Sequence, residues 1–138
     1  MKSFLEGRWE LDREVLDHRL GRAGRFHGTA DFAPGETTPD SLDWREIGRL
    51  RFGAHEGPGE QRYRLDFAAP HCARVRYADG RIFHDLDLST GSWTVEHACG
   101  PDLYRGRFAV SAADRWTLVW RVTGPRKDLR LSTCYRRL

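Results

Sequence analysis

Apolar and polar residues alternate in segment after segment, and this constrains the chain more than any other feature. In "SLDWREIGRLRF" Leu42, Trp44, Leu50 and Phe52 share one face, as do Phe26, Gly28, Ala30 and Phe32 in "RFHGTADF". "RYRLDF" sets Tyr63, Leu65 and Phe67 against Arg62, Arg64 and Asp66, and "ARVRY" sets Ala73, Val75 and Tyr77 against two arginines. A period of two lines one side of a pleated strand, so these are half-buried strands. "ADG" and "STG" place turns on either side of "RIFHDLDL", and "SWTVEHAC", "LYRGRFAV", "RWTLVWRV" and "LRLSTCYRRL" bring the count to about nine or ten strands. Residues 34–40 and 53–60 read as Gly/Pro-rich loops, and Leu16 to Gly24 reads equally as a strand end, a helical turn or a loop.

So many antiparallel strands must close or stack, because an open twisted sheet would leave long apolar edges to pair with other chains. Short sequential turns favour closure, which predicts an all-β fold: a single antiparallel up-and-down β-barrel of about 8–10 strands. One domain over residues 1–138 is expected, long enough to bury a core without disulfides. No apolar run approaches the roughly 20 residues of a membrane helix, and "MKSFLEGRW" has no signal-peptide core, so a cytoplasmic protein with no membrane partner is expected. Cys72, Cys99 and Cys134 are odd in number and form no CxxC pair, which fits free thiols in a reducing compartment. All but Lys2 and Lys127 of the 23 basic residues are arginine, spread among 20 acidic ones. With no basic stripe, nucleic acid is not an expected partner. A homodimer is left open.

The first strand, "FLEGRWELDR", carries Gly7-Arg8-Trp9, and the last ends in "CYRRL". This resembles the lipocalin-like, or calycin, superfamily, in which a first-strand tryptophan packs under a basic residue from the last strand. The resemblance assigns those roles to Trp9 and to Arg136 or Arg137. The series "FLEGRW", "DGRIFHDLDL", "HACGPDLYRGRF" and "GPRKD" further resembles a bacterial family of lipocalin-like proteins classed as a domain of unknown function. That second resemblance covers nearly the whole chain and implies no activity.

Polar residues on an apolar face are the informative ones. Arg13 follows Trp9 and Leu11 on the first strand, and Glu46 lies between Trp44 and Leu50. Facing one interior, they either pair with each other or offer a guanidinium to a ligand carboxylate or phosphate. His84 shares its strand face with Ile82, Leu86 and Leu88, while His97 and Cys99 share theirs with Trp93 and Val95. His84, His97 and Cys99 read as pocket polarity first, and as zinc ligands, a haem-ligating histidine or a Cys-His pair less well. Asp102, after Gly-Pro, suits a turn acceptor; Tyr104 suits the pocket wall, and "GPRKD" is either a solvated tip or a basic rim. The sequence therefore predicts a small-molecule-binding barrel whose ligand is acidic and apolar or aromatic, touched by Arg13, Trp44, Glu46, His84, His97, Cys99, Tyr104 and Trp120, with Trp9 also lining the interior. No metal and no cofactor are expected. An enzyme using a pocket histidine as general acid or base, a haem-binding barrel and a protein-binding scaffold are the alternatives.

Overall fold

The computed structural model describes residues 1–36 and 38–138; position 37, inside the expected 34–40 loop, lies outside the described residues. A single helical turn, α1 (Lys2–Leu5), precedes ten strands. These are β1 (Gly7–Asp17), β2 (Arg22–Pro34), β3 (Ser41–Phe52), β4 (His55–Ala69), β5 (Cys72–Tyr77), β6 (Ile82–Asp87), β7 (Ser92–Cys99), β8 (Asp102–Ala112), β9 (Arg115–Gly124) and β10 (Lys127–Arg137). Their order in the sheet is β6-β5-β4-β3-β2-β1-β10-β9-β8-β7, with every ladder antiparallel. The result is an all-β, nearly closed barrel. The first strand pairs the last, Trp9 opposite Arg137 and Asp17 opposite Leu129. Closure is incomplete between β6 and β7, which touch without a ladder; the indole Nε1 of Trp93 bridges them by donating to the Asp85 carbonyl at 2.8 Å. Among the described residues, no helix is long and apolar enough to cross a membrane.

Antiparallel pairing puts α1 and the turns at 70–71, 88–91 and 113–114 at one end of the barrel, and the turns at 18–21, 78–81, 100–101 and 125–126 at the other. The α1 end is filled. Trp116 lies flat on Tyr135, centroids 3.8 Å apart and planes at 5°, with Phe108 stacked on its other side at 6.0 Å. Trp9 is fully buried and donates from Nε1 to the Leu5 carbonyl at 2.8 Å. Arg137 lays its guanidinium 4.1 Å over the Trp9 ring and donates to the carbonyls of Phe4 and Glu6, tying α1 across the end. Of the two arginines, Arg137 therefore covers Trp9, while Arg136 points outward to Glu10.

The alternation assigned the faces of β2 and β3 correctly: Phe26, Ala30, Phe32, Leu42, Trp44 and Glu46 are all buried. Two expectations need correcting. Residues 55–60 are strand, not loop, because the glycines suit close packing: a Cβ on Gly59 would sit 2.8 Å from the Phe26 ring, and one on Gly28 would sit 2.0 Å from the Ile47 carbonyl opposite. Pro58 is tolerated since β4 pairs β5 only from Tyr63 onward, leaving its earlier part with β3 alone. In β6, Ile82 does not share the face of His84; it is 50% exposed. The β5–β6 register slips between Val75 opposite His84 and Arg76 opposite Ile82, and this bulge turns Phe83 and His84 both inward.

Candidate functional site

The polar centre of the interior is one connected group on β1, β3 and β10. Arg13 donates from Nε to Thr133 Oγ1 at 2.7 Å, and from Nη2 to Glu46 Oε1 at 2.7 Å and to the Tyr135 hydroxyl at 3.2 Å. The other carboxylate oxygen of Glu46 accepts the Tyr135 O–H and the Trp44 indole N–H, the latter at 3.2 Å. Glu46 and Thr133 are buried, and the Arg13 side chain is only 17% exposed. Burying two charges costs several kcal/mol per ion unless hydrogen bonds compensate it, and here three further side chains, Thr133, Tyr135 and Trp44, bond the pair. Burial by itself would lower the Arg13 pKa, yet the charges of Tyr135 and Glu46 and their hydrogen bonds outweigh it and raise it. Burial, with the nearby Glu46 charge, holds Tyr135 well above the ordinary phenol range. Among the described residues, Arg13 Nη1 has no partner, so this face of the guanidinium remains free.

Above this group lies a cavity of about 220 Å³ lined by Arg13, Trp44, Glu46, Gln61, Tyr63, Val75, Phe83, His84, Leu118, Trp120 and Leu131. Phe83 anchors its aromatic wall, stacking on Trp120 at 5.2 Å and on Tyr77 at 4.5 Å. Burial pushes the Tyr63 hydroxyl up to about 12, so it is a neutral donor at ordinary pH. His84 meets Phe83, Phe108 and Trp120 with its ring, and its Nδ1 lies 2.7 Å from the Asp85 carbonyl. That contact requires the proton on Nδ1 and leaves Nε2 as a hydrogen-bond acceptor. Burial pushes the His84 pKa down to about 4, opposed only in part by the Asp85 carbonyl, so the ring is neutral.

Arg13, Trp44, Glu46, His84 and Trp120 thus border one cavity, and the structure answers half of the open question about Arg13 and Glu46: they pair. The other predicted residues stand elsewhere. Trp9 belongs to the filled end. His97 and Tyr104 are half-buried behind the aromatic wall, His97 edge-on to Phe83 at 5.2 Å and Tyr104 edge-on to Trp120 at 6.3 Å. Cys99 is exposed at the far end, and neither it nor His97 borders the cavity. Asp102 and Lys127 pair at 3.1 Å at that end, so the "GPRKD" lysine is already engaged. Four contributors went unrecognised in the sequence: Phe83, Tyr63, Thr133 and Tyr135. Alternation along "LRLSTCYRR" does place Leu131, Thr133 and Tyr135 on the face of Arg137, a signal that finds them once Arg137 is set over Trp9.

The chain belongs to the DUF6314 family, a family of unknown function, whose pattern matches residues 5–137. No curated protein matches it in sequence. Among solved structures, the S-type phycobiliprotein lyase CPES from Guillardia theta has the same fold at 9% identity, with a TM-score of 0.65 over 99% of this chain and 90% of that one. A redesigned β-barrel, mFAP1, bound to DFHBI, is similar at 13% identity and TM-score 0.51 over 99% and 97% of the two chains. A DUF3598-family protein of unknown function from Nostoc punctiforme PCC 73102 is similar at 10% identity and TM-score 0.60, over all of this chain but 49% of that one.

Proposed function

We propose that this member of the DUF6314 family is a lipocalin-like binding protein for a small aromatic acid, held in the cavity between Arg13 and His84. One observation carries the reading: a cavity walled by Trp44, Tyr63, Phe83 and Trp120 is also lined by Arg13, whose Nη1 has no hydrogen-bond partner among the described residues, and by His84, whose Nδ1 is tied to the Asp85 carbonyl. Aromatic walls with a few placed polar groups are the usual composition of a ligand pocket. A ligand carboxylate would take Arg13 Nη1, and a ligand O–H or N–H would donate to His84 Nε2. The volume of about 220 Å³ suits one or two rings, being smaller than the roughly 300 Å³ at which drug-sized pockets begin. Likeness in fold to a barrel bound to DFHBI supports the reading at the level of architecture. Trp9 beneath Arg137 supports the lipocalin-like assignment, the pairing of β1 with β10 supports one domain, and three free thiols support a reducing, cytoplasmic compartment.

The enzymatic alternative is weaker, since a histidine with a pKa near 4 is a poor general base at neutral pH. Haem would require the cavity to widen. To test the proposal, 4-hydroxybenzoate, benzoate and indole-3-carboxylate are titrated against the protein, following tryptophan fluorescence and Tm, with each probe recovered afterwards. The expected result is saturable quenching and a raised Tm with an acid probe, a roughly tenfold weaker response to 4-hydroxybenzoate in His84→Phe, and probe recovered unchanged. Absence of any response, or responses unaffected by His84→Phe and Trp120→Leu, overturns the cavity as the site; a chemically altered probe replaces the binder with an enzyme.

A further inference from the structure

We propose a second site, on the outer wall: His71, Cys72 and Asp87 form a binding site for a divalent cation of the zinc type. On the outer face several strand carboxylates are met by an arginine on the neighbouring strand. Arg25 meets Asp12, Arg8 meets Asp31, Arg136 meets Glu10, and Arg74 meets Asp85, directly opposite it on β5 and β6. Two residues along that same ladder Cys72 stands opposite Asp87, and among the described residues no arginine or lysine pairs with Asp87. What gathers there is a metal-ligand set. The turn joining β4 to β5 brings His71 beside Cys72, and one ligand atom from each of His71, Cys72 and Asp87 lies within 4.8 Å of the other two.

The three donors come from places that can hold them. Asp87 Oδ1 accepts the Ser89 backbone N–H at 2.9 Å, which orients the carboxylate, while Oδ2 lies 3.5 Å from Cys72 Sγ. His71 is exposed on a turn, so its ring has the freedom to close the remaining gap, and Cys72 is half-buried in the strand. Imidazole nitrogen, thiolate sulfur and carboxylate oxygen make a borderline donor set, which suits zinc better than magnesium or calcium. On binding, the Cys72 thiol gives its proton to solvent, and its hydrogen bond to Asp87 is exchanged for two bonds to the metal. Three protein ligands leave a fourth tetrahedral position for water, beside the outer cleft that Cys72 and Asp87 share with Asp85 and Trp93. The sequence points to no metal through the absence of CxxC pairs and the undiagnostic spacing of His84, His97 and Cys99; this site is built by strand register, which chain spacing does not reveal.

The test uses Co(II) and Zn(II) on the full chain. Co(II) is expected to give a thiolate-to-cobalt charge-transfer band at one equivalent, displaced by Zn(II). Cys72→Ser removes the band, His71→Ala and Asp87→Asn weaken Zn(II) binding at least ~10-fold, and a Cys99→Ser/Cys134→Ser protein keeps both. Because His71 is an exposed turn residue, His71→Ala reports on the site even if Cys72→Ser disturbs the fold. No band, a band that persists in Cys72→Ser, or one lost with Cys99 and Cys134 overturns the proposal.

Discussion

At the α1 end of the barrel, Trp9, Phe32, Trp116 and Tyr135 are each no more than 1% exposed; a few residues along β1 and β9, Arg13 and Trp120 border open volume, as does Tyr63 on β4. Both regions are built by the same alternation and both are rich in aromatic rings. They differ in what the rings meet. At the α1 end ring lies on ring, and Arg137 seals the stack from outside. Beyond it lies the Arg13–Glu46 pair, and a charge pair held by hydrogen bonds from three partners cannot be squeezed aside to let rings close over it. A cavity is left where a core would otherwise continue.

The comparison breaks first if the filled end proves tolerant. Trp9→Ala is expected to cost about 3–5 kcal/mol by urea unfolding, through lost burial and the void it leaves. Next, Glu46→Ala should cost about 3 kcal/mol because Arg13 is left charged, buried and unpaired, whereas Arg13→Met with Glu46→Leu should recover most of that loss. If the double variant is no better than the single one, the polar group is not held together by charge pairing. A comparable effect should follow from pH alone. His84 has its pKa pushed from 6.5 to about 4 by burial, so the unfolded chain takes up the proton first as pH falls. The His84 contribution should be flat above about pH 7, fall by roughly 3 kcal/mol between 6.5 and 4, and be gone below, while Asp12 and Asp87, whose carboxyls are held below the usual range by their partners, carry the decline further; His84→Gln should remove the first part. The smallest effect sharpens the contrast: Trp120→Ala should cost only about 2 kcal/mol, since its ring already borders empty space.

The β-barrel was legible because alternation is a backbone-scale signal, and so was the inward direction of Arg13, Trp44, Glu46 and Trp120. What escaped the sequence are features decided between strands. The bulge opposite Val75 inverts the face of Ile82 and brings in Phe83, the ring on which Trp120 and Tyr77 stack. "GPG" in 57–59 carries the signature of a loop, yet the missing side chain of Gly59 is what lets Phe26 lie against the strand. Cys99 follows the alternation of β7 but reaches the barrel end, where an inward-facing residue has no interior left to enter. Period two tells which side of a strand is apolar; it does not tell how deep along the axis a residue lies.

The order of the strands also bears on how the barrel comes together. β1 and β10, at the two extremes of the chain, are the paired middle of the sheet, and β6 and β7, joined by the short turn at 88–91, are its unpaired margins. Bringing β1 to β10 is the one step that pays the entropy of closing a loop of more than a hundred residues; every other ladder is a local hairpin. Two arms of hairpins extend from that junction and meet across the Trp93–Asp85 contact. Parting them again there undoes no long-range pairing, so the margin between β6 and β7 is where this barrel opens at the lowest cost in free energy.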